Sequence, residues 1–201
     1  MRVAKTERKT KETDISINLE IEGKGDRDIK TPIGFLNHML EGFTKHGLFN
    51  LTIKAKGDLE IDQHHTVEDL GIVLGETFKK ALGNMKGIAR AGSFAFPMDE
   101  SLGIVAVDIS GRSYLVFKAK FQRRMCGDLD TDIVEDFFRG FSMGLGANIA
   151  VYVPYGRNDH HKLEAIFKAL GKSMSIACTI QERAKDEIPS TKEFIDFIEE
   201  N

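Results

Sequence analysis

The pentapeptide His64-His65-Thr66-Val67-Glu68 recurs downstream as His160-His161-Lys162-Leu163-Glu164, so four of the six histidines sit in two copies of one pattern. Neutral imidazole and carboxylate are the usual nitrogen and oxygen donors for divalent transition metals. If each copy opens a helix, its glutamate lies three and four residues beyond the two histidines and shares a face with both. Adjacent histidines, however, point about 100° apart around a helix, so one pair chelates a single ion poorly. The expected geometry is two ions, each drawing on both motifs. One isolated HHxxE is as readily a helix-lining pair as a ligand set, and the second copy tips the reading toward metal.

A motif repeated in this way calls for a repeated structural unit. Residues 15–22 alternate apolar and polar, the period of a strand with one buried face, and residues 23–26 supply a turn. Phe35, Leu36, Met39, Leu40 and Phe43 then form a helical stripe carrying His38 and His46, ending at Gly47, which suits a left-handed cap. Residues 48–56 and 59–62 are predicted as strands, the second leading into the first HHxxE and a helix closing at Gly83. The second half follows the same order, with strands at 92–97, 101–109 and 114–121, a helix at 131–145, a strand at 149–155, and the second HHxxE with its helix. Two α+β units, 1–90 and 91–181, precede a tail at 182–201 expected to be partly ordered at best without a ligand or neighbour. Phe35, Phe43, Phe78, Phe137, Phe138, Phe141 and Phe167 are expected core, as are Met39 and Met143. His46, with no partner at motif spacing, is expected to pack at a helix end.

Composition bounds the function. With 201 residues, 41% of them hydrophobic and 29% charged, the chain has the makings of an ordinary globular protein, and a formal net charge of −3 leaves no footprint for nucleic acid. No segment reads as a membrane span or a secretion signal, and Cys126 and Cys178 read as free thiols in a reducing compartment, so the cytoplasm is expected.

The strings FLNHML at 35–40, DQHHTVED at 62–69 and NDHHKLEA at 158–165 closely resemble imidazoleglycerol-phosphate dehydratase, a hydro-lyase of histidine biosynthesis (EC 4.2.1.19). So do KET at 11–13, KGIAR at 86–90, PMDE at 97–100, DISGR at 108–112 and PSTK at 189–192, in collinear order. The resemblance implies two tandem pseudo-repeats, each a mostly antiparallel four-stranded sheet packed with two helices, of the ribosomal protein S5 domain 2-like type. It implies two manganese ions per active site, other divalent metals being possible, and a homo-oligomer of about 24 chains with sites between subunits. It implies the metal ligands His38, His64, His65, Glu68, Asp136, His160, His161 and Glu164, with His65, Glu68, His161 and Glu164 also counted as catalytic. Glu12 is the implied general base. Asp99 is an implied substrate contact, and Arg90, Arg112, Lys168, Ser190 and Lys192 are implied phosphate contacts, the last two in the tail.

Dehydrating imidazole glycerol phosphate to imidazole acetol phosphate means removing a poorly acidic proton from carbon beside the ring. Metal ions on the ring nitrogens would stabilise an imidazolate form. Four positions depart from the family pattern: Asn37 where many members have Asp, Gly42 where Gln is common, Ala150 where His is common, and Asp136 where His is frequent. A metal-dependent hydrolase and a non-catalytic metal store are the competing classes.

Overall fold

The computed structural model describes residues 1–195. Its first half runs β1 (Val3–Lys9), β2 (Thr13–Glu20), β3 (Arg27–Lys30), α1 (Gly34–Gly47), β4 (Asn50–Gly57) and α2 (His64–Leu82). The second half repeats that order in β5 (Ala91–Met98), β6 (Ser101–Asp108), β7 (Tyr114–Lys118), α3 (Val134–Leu145), β10 (Asn148–Tyr155) and α4 (Asp159–Cys178). The short hairpin β8 (Met125–Cys126) and β9 (Leu129–Asp130) is inserted before α3. Both four-stranded sheets have one topology, β1-β2-β4-β3 and β5-β6-β10-β7, each with two antiparallel pairings and one parallel edge strand.

Period-2 patterning sets which face is buried: Ile15, Ile17 and Leu19 of β2, with Leu51, Ile53 and Ala55 of β4, point inward. Each sheet is covered by the helices of its own half. Those helices then meet across the middle, α1 on α4 and α2 on α3, giving sheet, two helical layers and sheet. The α2/α3 crossing is close because it runs over glycines: a Cβ on Gly71 would lie 2.3 Å from the Phe137 carbonyl oxygen, and one on Gly144 2.1 Å from that of Ile72. Phe43, Phe78 and Phe141 interlock edge to face at 5.9–6.5 Å and join the halves.

Several expectations require correction. Residues 59–62 form turns rather than a strand, and β1 and β3 were not foreseen. The inward positions of β1 are Ala4, Thr6 and Arg8, too polar for a hydrophobic alternation, and β3 buries only Ile29. The third helix starts at Val134 rather than at 131. Leu48, at φ 59°, takes the left-handed cap of α1, whereas Gly47 is needed for clearance, since a Cβ there would lie 2.3 Å from the Phe49 ring. Met143 is 43% exposed, not core, and Phe35 is only partly buried.

The segment after Gln181 is pinned to the loop before β5. Gln181 N donates to Gly87 O, Gly87 N donates to Glu187 O, and the Arg90 guanidinium donates to Pro189 O. Residues 196–201, the rest of the expected tail, lie outside the described residues.

The inserted hairpin and its flanks reach the N-terminal ends of all four helices. Asp128 accepts from Gly34 N and Phe35 N at the start of α1, and the Gln63 side chain, just before α2, bonds Asp128 O and Asp130 N. Asp159, opening α4, accepts from Gln122 N and Arg123 N, and Thr131 leads into α3. Those helix ends carry the motif residues.

Candidate active site

The second HHxxE opens α4 with Asn158 as a true N-cap, its side chain accepting from His160 N. One nitrogen of His38, one nitrogen of His160 and a carboxylate oxygen of Glu164 all lie within 4.8 Å of one another, the sole such donor group among the described residues. Phe35 packs edge-on against both rings, at 5.0 Å from His160 and 6.2 Å from His38. Burial would raise the Glu164 pKa, but Lys168, 2.6 Å away, outweighs it and holds the carboxyl below its ordinary value. Two imidazoles and a carboxylate, half-exposed at a helix end, suit a six-coordinate cation with open positions.

The equivalent residues at the start of α2 and α3 are grouped more loosely, with the two carboxylates on opposite nitrogens of one ring. His64 lies between Asp136, 3.5 Å from its Nδ1, and Glu68, 3.6 Å from its Nε2. Each cluster thus takes its HHxxE residues from one half and its third member from the other. Neither combines both motifs within one chain, because neighbouring helical residues diverge: His64 and His65 rings are 6.2 Å apart at 74°, His160 and His161 6.0 Å apart at 79°.

The second histidine of each motif meets a different carboxylate set. Asp58 lies 3.1 Å from His65 Nδ1, and that hydrogen bond raises the His65 pKa against partial desolvation; Glu12 sits 4.0 Å from His65 Nε2. Glu100 lies 2.8 Å from His161 Nδ1, and Asp99 3.8 Å from His161 Nε2. The His161 hydrogen bond and the Asn158 N–H hold Glu100 far below the usual carboxylate range.

Arg90, Arg112, Ser190 and Lys192 line one cavity of about 320 Å³, together with Ser110 and Thr191. Arg90 has φ 67°, an unfavourable left-handed conformation for arginine, held by a two-pronged contact to Asp108 and by Pro189 O. Lys168 does not join this group; its ammonium pairs with Glu164 and lies 5.3 Å over the Phe96 ring. His46 packs edge-on against Phe96 at 5.0 Å, and burial, aided by Lys168 and Lys172, lowers its pKa.

The sequence profile of imidazoleglycerol-phosphate dehydratase matches residues 31–174. The chain belongs to the imidazoleglycerol-phosphate dehydratase family.

It is 51% identical to the dehydratase of Koribacter versatilis and 53% identical to that of Bacillus pumilus, each over 192 residues covering 96% of this chain and 98% of the relative. The fold superposes on the Staphylococcus aureus dehydratase with TM-score 0.80 at 37% identity, covering 89% of this chain and 99% of that one. For the Pyrococcus furiosus enzyme the values are 0.82, 33%, 94% and 99%. As a member of the imidazoleglycerol-phosphate dehydratase family, the chain is a carbon–oxygen lyase. Two of the positions at which the resemblance leads one to expect another residue have a structural context. Asn37 both accepts from Thr31 N and donates to Thr31 O, a pair that aspartate could not complete, and Gly42 leaves room beside the Lys168 stem.

Asp58, Glu100, Asp128 and Phe35 were not singled out in the sequence for these contacts. Asp58 and Asp128 lie in turns whose function is set only by what they touch. Glu100 adjoins the singled-out Asp99, and its strand-leading place matches that of Glu12.

Proposed function

We propose that the chain dehydrates imidazole glycerol phosphate to imidazole acetol phosphate in histidine biosynthesis, using two manganese ions per active site. The observation that carries this is the pair of helix-end donor clusters, His38/His160/Glu164 and His64/Glu68/Asp136, each built from both halves of the fold. Bound there, the metals supply positive charge against the imidazole ring as its neighbouring carbon loses a proton. His65 and His161, turned away from both clusters, complete the coordination of sites on neighbouring copies. Glu12, 54% exposed and beside His65, removes the carbon-bound proton, while Asp99 beside His161 contacts substrate. Arg90, Arg112, Ser190 and Lys192 hold the phosphate, for which the guanidinium fork is well shaped. Lys168, paired with Glu164, reaches substrate from the metal side.

We place the enzyme in the cytoplasm, consistent with its biosynthetic family and with two free, buried thiols. The working form is a homo-oligomer, of about 24 chains by family resemblance. The test is a dehydration assay after exhaustive chelation. Activity should vanish with the metal and return on adding manganese; full turnover by metal-free protein would overturn the proposal.

A further inference from the structure

The two halves solve one problem with residues from different places in the repeat. β2 and β6 are equivalent strands, so Glu12 and Glu100, each immediately before its strand, are counterparts. β4 pairs with β2 without a break, whereas β10 takes in one extra residue between Tyr152 and Tyr155, so Gly156 matches Gly57 and Asp58 corresponds to Arg157. In the first half Asp58 holds His65 Nδ1, at 3.1–3.2 Å from both carboxylate oxygens, and Glu12 stays on the Nε2 side of the ring. In the second half Arg157 stands there, a cation with no acceptor to offer a ring N–H, and the counterpart of Glu12 does that work instead. Glu100 places one oxygen 2.8 Å from His161 Nδ1, and its other oxygen accepts from Asn158 N, Arg157 N and the Ser101 hydroxyl.

Building on the metal site proposed above, we infer that Asp58 and Glu100 are positioning residues that fix the His65 and His161 rings with Nδ1–H on a carboxylate and Nε2 free to ligate. A ring nitrogen that donates to a carboxylate sets the tautomer and the aim of the other nitrogen, and makes it a better donor to metal. A carboxylate recruited twice, from non-equivalent positions, onto the same atom of equivalent histidines is more than an inherited packing contact. It also differentiates the half-sites: Glu12 is free to move a proton because Asp58 has taken the orienting role, whereas Glu100 is committed to its histidine and to the turn before α4.

The test is manganese affinity, read from the free Mn2+ signal in electron paramagnetic resonance, alongside steady-state kinetics. Asp58→Ala and Glu100→Ala should each weaken manganese binding by about 10- to 100-fold, with Asp58→Asn and Glu100→Gln recovering part of the loss. Glu12→Gln should leave manganese affinity unchanged and lower kcat, so two equivalent glutamates give opposite phenotypes. Should Glu100→Ala fail to fold, Asp58→Ala decides alone, because the Asp58 carboxylate contacts only His65 in the hydrogen bonds and ion pairs of the described residues. Unchanged affinity in Asp58→Ala, or equal weakening by Glu12→Gln and Glu100→Gln, would overturn the assignment while leaving the metal site intact. A wild-type protein that binds no manganese would overturn the metal site itself, and the orienting role with it.

Discussion

At the scale of single residues, the two donor clusters are counterparts but not copies. His38 on α1 occupies the place that Asp136 holds on α3, so one cluster offers two imidazoles and a carboxylate, the other one imidazole and two carboxylates. Imidazole suits zinc and other later transition metals, whereas carboxylate suits manganese and magnesium. With metal bound as proposed, Asp136 would bias its site toward the harder cation. Asp136→His should make the clusters alike and raise zinc retention relative to manganese at that site, with little change in fold because Asp136 is partly exposed beside Arg139. Elemental analysis after dialysis against equimolar zinc and manganese checks this; an unchanged metal ratio would show that Asp136 does not set the preference.

At the scale of elements, the helix starts decide whether the donors converge, and their placement depends on a buried ion pair. Asp159 and Lys162 have side chains 3% and 5% exposed and lie 2.8 Å apart, with Lys162 Nζ also donating to Lys120 O. Burial pushes the Asp159 carboxyl up, but the Lys162 ammonium and the N–H groups of Arg123 and Gln122 outweigh it, leaving the pKa below its ordinary 3.8. A depressed carboxyl contributes stability that is complete above its unfolded pKa and is lost as pH falls through the folded value. Asp159→Asn leaves Lys162 buried without its counter-charge, costing about 3–5 kcal/mol near neutral pH. The gap from wild type should narrow as pH drops below 3.8. Urea unfolding of metal-free protein at neutral and acid pH checks it; a gap that widens toward acid would contradict the assignment. None of this was visible in the sequence, where Lys162 looked like a variable spacer within HHKLE. Repeat, motif and helices were legible because they rest on period and spacing, which are local. β1 was missed because its inward face is polar, and the inserted hairpin because its role lies in contacts to helix ends distant in sequence. The phosphate-side residues were named by resemblance alone, and only the fold shows that Arg90, Arg112, Ser190 and Lys192 share a cavity that excludes Lys168.

At the scale of the molecule, the two sheets present opposite outer faces. That of the first carries Lys5, Glu7, Asp14, Ser16, Lys54 and Lys56, an ordinary solvated surface. The corresponding face of the second sheet carries Ala91, Ser93, Ala106, Val116 and Ala150, flanked by Tyr114 at 67% and Tyr152 at 50% exposure, around a shallow cavity of about 660 Å³. Ser93, Ala106, Ala150 and Val116 form one rung across all four strands, since each is paired with the next. A contiguous apolar sheet face of this kind is a liability in an isolated chain and an asset in a closed homo-oligomer. Ala106→Glu combined with Ala150→Glu places two charges on neighbouring strands of that rung, where a second copy would bury them unpaired at a cost of several kcal/mol per ion. Both positions are exposed in the single chain, so the far-ultraviolet circular dichroism should be unchanged while light scattering reports a drop in mass. If the double variant keeps the wild-type mass, the face is not an interface; if the wild type itself is monomeric, His65 and His161 have no neighbouring site to complete, and the active site would have to be assembled within one chain.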